Sequence, residues 1–173
     1  MTKQGVVSPP LTAVARLGRA AWFFGNAYEA AVGVPQLIAS ANRHAGVLTT
    51  GSPLRYFGPV APAAVGGTAA VLVRSWQTGA DRRAVAAAAA TLGAALGLSA
   101  YLIRSINIPL LKGEVDEEVR PRLITRWHRG NAVRLCLLAA TEMLMRRVEA
   151  TVLLGSPVNG GGVIRAVPYP GQE

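Results

Sequence analysis

The amino-acid sequence predicts an all-α protein in which four transmembrane helices form an up-down-up-down bundle. Of its 173 residues, 51% are hydrophobic and only 16% are charged, and the mean hydropathy is +0.32. Soluble domains usually carry about a quarter charged residues, so this composition favours a membrane protein. Four apolar stretches each approach the roughly 20 residues that cross the hydrocarbon core of a bilayer. A soluble bundle with an alanine-rich core is the alternative.

The four predicted spans follow one another through short connections, which favour antiparallel neighbours. In chain order, the spans cover residues 19–38, 56–76, 83–106 and 127–145. We therefore expect a polar N-terminal segment over residues 1–18, a four-helix membrane domain over 19–147 and a flexible C-terminal tail over 148–173.

Each later span carries a local signal of its own. The second opens on Pro59 and Pro62, and a tight turn at Gly79-Ala80-Asp81 separates it from the third. The third contains the spacing Gly93-x-x-x-Gly97, which lets helix backbones approach closely. We expect this helix to end at Asn107-Ile108-Pro109, because a residue before proline disfavours helical backbone.

The charge distribution indicates a lipid partner. The net charge is +9 and the isoelectric point is near 11.0, which in a soluble protein would suggest nucleic acid. No nucleic-acid-binding motif is recognisable, and the arginines mostly flank apolar segments, where they suit anionic headgroups. We therefore expect a lipid bilayer as partner and no nucleic acid. A small excess of basic residues beside the termini favours cytoplasmic termini in a bacterial plasma membrane.

Cysteine and histidine are too scarce for a recognisable metal site. Cys136 is the only cysteine, and His44 and His128 are the only histidines. A single cysteine excludes an intrachain disulfide and multi-cysteine zinc or iron–sulfur sites. The histidine clusters of copper or di-iron membrane oxygenases are missing as well. We therefore expect no bound metal.

Two matched triplets of polar and aromatic residues mark the first and fourth spans. They are Trp22, Asn26, Glu29 and Trp127, Asn131, Arg134. Intervals of four and then three residues place each triplet along one stripe of a helix. Ionisable groups in hydrocarbon are costly unless they are paired, so we expect Glu29 to pair with Arg134. The pair either forms a functional site with the two asparagines or only fastens the two helices together.

Other side chains near this end have two interpretations each. Histidine ordinarily titrates near neutral pH, so His128 is either a general base or an interfacial residue. Arg104 either joins the site or snorkels to the headgroups. Asn107 either caps a helix or lines the mouth of a pocket.

Aromatic residues could line a pocket for a flat apolar substrate. An aromatic residue at the end of a span also suits an interfacial belt. The candidates are Trp22, Phe23, Phe24, Tyr28, Tyr101 and Trp127. Glu142 lies nearer the other membrane surface, and we expect it to pair with Arg146 at helical spacing.

The chain resembles the anthrone-oxygenase-like family of small membrane proteins with four predicted helices. The resemblance rests on Asn26, on Asn107-Ile108-Pro109 and on Trp127-x-x-x-Asn131-x-x-Arg134. It implies a cofactor-independent monooxygenase that oxidises an anthrone-type or related polycyclic phenol, with molecular oxygen as co-substrate, in polyketide metabolism.

The resemblance also implies roles for the polar residues. His128 or Glu29 would be the base, and Arg134, Asn131 and Asn107 would hold the developing oxyanion. The alternative is a non-catalytic membrane subunit or small-ligand binder, either a homo-oligomer or docked to a partner membrane protein through its charged third loop.

Overall fold

A computed structural model describes residues 9–40 and 53–154, and this part of the chain is helical with no strand. The helices are α1 (Pro9–Ala31), α2 (Val34–Ser40), α3 (Pro53–Gln77), α4 (Arg82–Leu102), α5 (Ile108–Lys112) and α6 (Arg120–Leu154). A π-helical turn, Ile103–Asn107, joins α4 directly to α5. The prediction of an all-α protein is therefore confirmed over the described residues. The loop around His44 lies outside them, as do the first eight residues and the tail after Leu154.

The four long helices pack in antiparallel pairs. A Cβ atom built on Gly18 of α1 would lie only 2.7 Å from the backbone nitrogen of Ala64 in α3. Because Gly67 lies in the same way against Ala15, the two helices run in opposite directions with their backbones in close contact. Helices α4 and α6 also run in opposite directions. A Cβ atom built on Gly130 would lie 2.7 Å from the Leu102 side chain, whereas farther along α6 Thr141 donates to Thr91, nearer the start of α4, over 2.9 Å.

Apolar side chains form two buried clusters. The main core joins α1, α3, α4 and α6 and includes Trp22, Leu92 and Leu138. The second, here called the Trp127 cluster, lies toward the end of α4 and consists of Leu102, Ile106, Leu110 and Trp127. It packs where the π-helical turn and α5 meet the start of α6.

Two described stretches are long and apolar enough to cross a membrane. They are Phe57–Gln77, with 21 residues, and Arg82–Lys112, with 31 residues. These correspond to the second and third predicted spans. Helices α1 and α6 do not reach the same hydropathy, because they carry charged side chains that pair with one another across their interface.

The structure corrects the predicted end of the third span. The chain stays helical through Asn107 and Pro109 to Lys112, so the prediction that this helix ends at Asn107-Ile108-Pro109 is wrong. The Ile108 N–H donates to the carbonyl of Ile103, five residues back. Inside an α-helix, a proline ring clashes with the carbonyl four residues earlier. A π-helical turn is wider than an α-helical one and so avoids this clash.

The outer bounds of the helices also differ from those of the predicted spans. Helix α1 begins at Pro9, inside the segment predicted to be a polar N-terminus. Helix α6 runs from Arg120 to Leu154 and so takes in both the end of the charged loop and the start of the predicted tail.

Candidate functional site

Four polar side chains meet where α1 packs against α6. Asn26, Glu29, Asn131 and Arg134, here called the polar cluster, are all buried. The predicted ion pair is present, with Arg134 Nη2 at 3.5 Å from Glu29 Oε2. The spacing of four and three residues explains the meeting, because it directs each triplet toward the facing helix.

Asn131 connects the two helices and orients the arginine. Its Nδ2 donates to the backbone carbonyl of Asn26 over 3.0 Å. Its Oδ1 accepts from Arg134 Nε over 3.0 Å and also from Arg134 Nη2. The guanidinium is therefore fixed by a neighbour one helical turn away, and the Glu29 carboxylate is its second partner.

Asn26 has one satisfied and one unsatisfied end. Its Nδ2 donates to the carbonyl of Trp22 over 2.7 Å. Its Oδ1 is buried and has no hydrogen-bond partner among the described residues. A buried acceptor without a partner costs about 1–3 kcal/mol, so this oxygen is a place where a ligand hydroxyl would be stabilised.

Asn107 presents a second acceptor of the same kind. It lies in the π-helical turn, and its Oδ1 is also buried without a partner in the described part of the chain. The preceding residue, Ile106, belongs to the Trp127 cluster, against which Ala30 of α1 also packs. π-Helical turns occur frequently at functional sites.

His128 lies beside the Trp127 cluster and contacts the short helix α2. Its Nε2 is 3.0 Å from Nε2 of Gln36. The Trp127 ring is buried and meets the imidazole edge to face, with centroids 5.2 Å apart. Gln36 was not predicted from the sequence. The signal for its helix was Gly33-Val34-Pro35, a turn glycine followed by a helix-starting proline.

Comparison with known proteins identifies the family. A family model described as anthrone oxygenase matches residues 50–143, which is more than half of the 173 residues. The chain belongs to the anthrone oxygenase family. No curated protein and no solved structure matches the chain. The match includes Asn107, His128, Asn131 and Arg134, and it begins after Asn26 and Glu29.

Three of the predicted substrate-binding residues have exposed side chains in this anthrone oxygenase family protein. Tyr28 is 67% exposed, Tyr101 is 46% exposed, and Arg104 is also exposed. The structure therefore does not bring them into the buried polar cluster.

A second buried ionic network joins the first half of α1 to the last half of α6, away from the polar cluster. Arg19 is buried and places Nε at 2.7 Å from Glu142 Oε2 and Nη2 at 3.3 Å from Glu149 Oε1. Arg16 also pairs with Glu149. Glu142 also contacts Arg146 at 3.1 Å, which confirms the predicted pair.

This network differs chemically from the polar cluster. Its carboxylates and guanidinium groups pair with one another, so it braces the two helices rather than offering a free acceptor. The sequence predicted only that arginines flank the apolar segments, and the pairing of Arg19 with Glu149 was not predicted. Among the described residues, no group of three or more histidine, cysteine, aspartate or glutamate side chains is placed to hold a metal ion.

Proposed function

We propose that this protein is an integral membrane oxygenase that needs no cofactor and oxidises an anthrone-type or related polycyclic phenol with molecular oxygen in polyketide metabolism. Family membership supports the oxygenase class. The observation that carries the more specific function is the polar cluster, where a buried ion pair lies beside an unpartnered amide oxygen. This combination offers a base, a cation and a hydrogen-bond acceptor away from bulk water.

In the same proposal, α1, α3, α4 and α6 cross a bacterial plasma membrane as an up-down-up-down bundle with cytoplasmic termini. The two apolar stretches and the antiparallel packing support this arrangement. The charges of α1 and α6 are compatible with a bilayer because Glu29 and Arg134 pair with each other instead of facing lipid.

The chemistry needs only a base, a stabilised anion and oxygen. The base removes one proton from the anthrone methylene, and the resulting carbanion, which is delocalised into the rings, transfers one electron to O2. Combination of the two radicals forms a carbon–oxygen bond, and protonation gives a hydroperoxide. Removal of the second proton from that carbon breaks the O–O bond, forms the carbonyl and releases hydroxide, which is protonated to water. One oxygen atom enters the product and the other leaves as water.

The residues of the polar cluster, together with His128 and Asn107, fit these steps. Glu29 or His128 takes the methylene proton, and Arg134 stabilises the negative charge that develops on the anthrone oxygen. Asn26 and Asn107 accept hydrogen bonds from phenolic hydroxyls through their unpartnered oxygens. Asn131 holds Arg134 in position and provides further polar contact.

Four remaining residues have peripheral roles in this scheme. Trp127 provides a rigid wall beneath His128. Tyr28, Tyr101 and Arg104 would contact substrate only as it approaches from the outer surface of the helices, since their side chains are exposed there.

An isotope experiment tests the proposed function. Purified protein in detergent is given an anthrone under ¹⁸O2, with a metal chelator present and no flavin added. We expect one labelled oxygen atom in the new carbonyl, formed faster than in the protein-free reaction. The double variant Asn131→Ala, Arg134→Ala should lose this acceleration. Label incorporation that required an added metal or flavin, or that never exceeded the spontaneous rate, would contradict the proposal and favour a ligand-binding or assembly role.

A further inference from the structure

The short helix α2 is held firmly against the start of α6. Gly33 has a left-handed backbone with φ of 67°, which lets the chain reverse direction after α1. Its carbonyl then accepts hydrogen bonds from the N–H groups of Gln36 and Leu37, at 2.9 and 3.1 Å. Pro35 is fully buried, and Ile38 packs against the Trp127 cluster. The backbone of α2 at Gln36 is thus held by its neighbours on both sides, and the exposed Gln36 side chain reaches His128 from there.

The contact between Gln36 and His128 joins two nitrogen atoms. An amide nitrogen carries two hydrogens and accepts none, so Gln36 Nε2 donates and His128 Nε2 accepts. A neutral imidazole that accepts at Nε2 carries its proton on Nδ1. We propose that Gln36 is a positioning residue that holds the neutral His128 ring in the Nδ1–H tautomer.

The imidazole ring also has a buried aromatic neighbour. Trp127 lies edge to face with the imidazole at an interplanar angle of 89°, and Trp127 is itself buried. A flip of the imidazole would have to occur against this fixed neighbour. The Gln36 hydrogen bond is therefore made to a ring whose rotation is limited by Trp127.

The fixed tautomer changes the role of His128 in the reaction, a consequence that rests on the proposed oxygenase function. The Nε2 lone pair is occupied by Gln36, so the ring offers a substrate an N–H donor and not a free base. His128 then donates a hydrogen bond to the developing oxyanion. Glu29 is left as the group that removes the methylene proton.

The tautomer can be measured without any substrate. In a His44→Gln background, ¹⁵N-labelled histidine reports His128 alone, and the nitrogen shifts of the neutral ring separate protonated from unprotonated positions. We expect an unprotonated Nε2 in the otherwise unchanged chain. The substitution Gln36→Glu should move the proton to Nε2, because a carboxylate can only accept. The substitution Gln36→Ala should give a mixture, and Gln77→Ala, at an exposed glutamine of α3, should change nothing.

Two results would overturn the assignment. One is a protonated Nε2 in the parent background, which would mean that the amide presents its oxygen to the ring. The other is an identical spectrum in the Gln36→Ala variant, which would mean that Gln36 does not act on His128. Since neither result depends on turnover, failure of the proposed oxygenase activity and failure of this assignment are distinguishable.

Discussion

Removal of either partner of the Glu29–Arg134 pair should destabilise the fold, and by unequal amounts. Leaving one buried charge unpaired costs about 3–5 kcal/mol, so Glu29→Gln should lower the free energy of unfolding by about 3 kcal/mol. Arg134→Met removes the same pair and also two donors to Asn131 Oδ1. The orphaned oxygen adds about 1–2 kcal/mol. Arg134→Met should therefore be the more damaging single substitution, and the double variant should lose about 1–3 kcal/mol less than the sum of the two.

The assay is denaturant-induced unfolding in detergent micelles, followed by tryptophan fluorescence, since Trp22 and Trp127 are both buried. Glu118→Gln is the matched control, because Glu118 is an exposed glutamate of the third loop. It should change the free energy of unfolding by less than about 0.5 kcal/mol. Single-variant effects as small as that of the control, or strict additivity in the double variant, would refute the reasoning that these two groups depend on each other.

Three further changes in stability follow from the packing of α1, α3 and α6. Gly18→Ala should lower the free energy of unfolding by about 1–2 kcal/mol, because the new Cβ would meet the Ala64 backbone. Gly66→Ala faces open space and should raise it by up to about 1 kcal/mol in the same titration. Equal stability of these two variants would contradict the close approach of α1 and α3. Glu149→Gln should cost about 1–3 kcal/mol, measured in the same way, since Arg19 then keeps only one carboxylate partner.

The polar cluster was predictable from sequence because a charged side chain in an apolar environment is strongly destabilising unless it is paired. A charge within an apolar segment has to find a partner, and the intervals of four and three residues leave one stripe on each helix for it. Glu29 and Arg134 could therefore be predicted to pair before the fold was known, and the structure contains this ion pair. The Glu142–Arg146 pair was predictable for a similar reason, since both residues lie on one helix four positions apart.

Other parts depend on geometry that spacing does not encode. Successive helical residues are about 100° apart around the axis, so Tyr28 points outward when Glu29 points inward. The position of Pro109 predicted a helix end, but a π-helical turn just before it lets the helix continue through the proline. Gln36 and Arg19 were missed because neither residue needs one particular partner. Gln36 is an exposed amide that meets His128 across the fold. Arg19 lies at the start of its predicted span, where anionic headgroups would satisfy it as well as Glu142 and Glu149 do.

The most direct test of the central claim is oxygen uptake with an anthrone, compared among the parent protein, Glu29→Gln and Glu118→Gln in detergent. All three samples should first give the helical circular dichroism spectrum of the parent. We predict uptake above the spontaneous rate for the parent and Glu118→Gln, and a loss of at least about 100-fold in Glu29→Gln. Parent uptake at the spontaneous rate, or undiminished uptake in Glu29→Gln, would contradict an oxygenase whose base lies in the polar cluster.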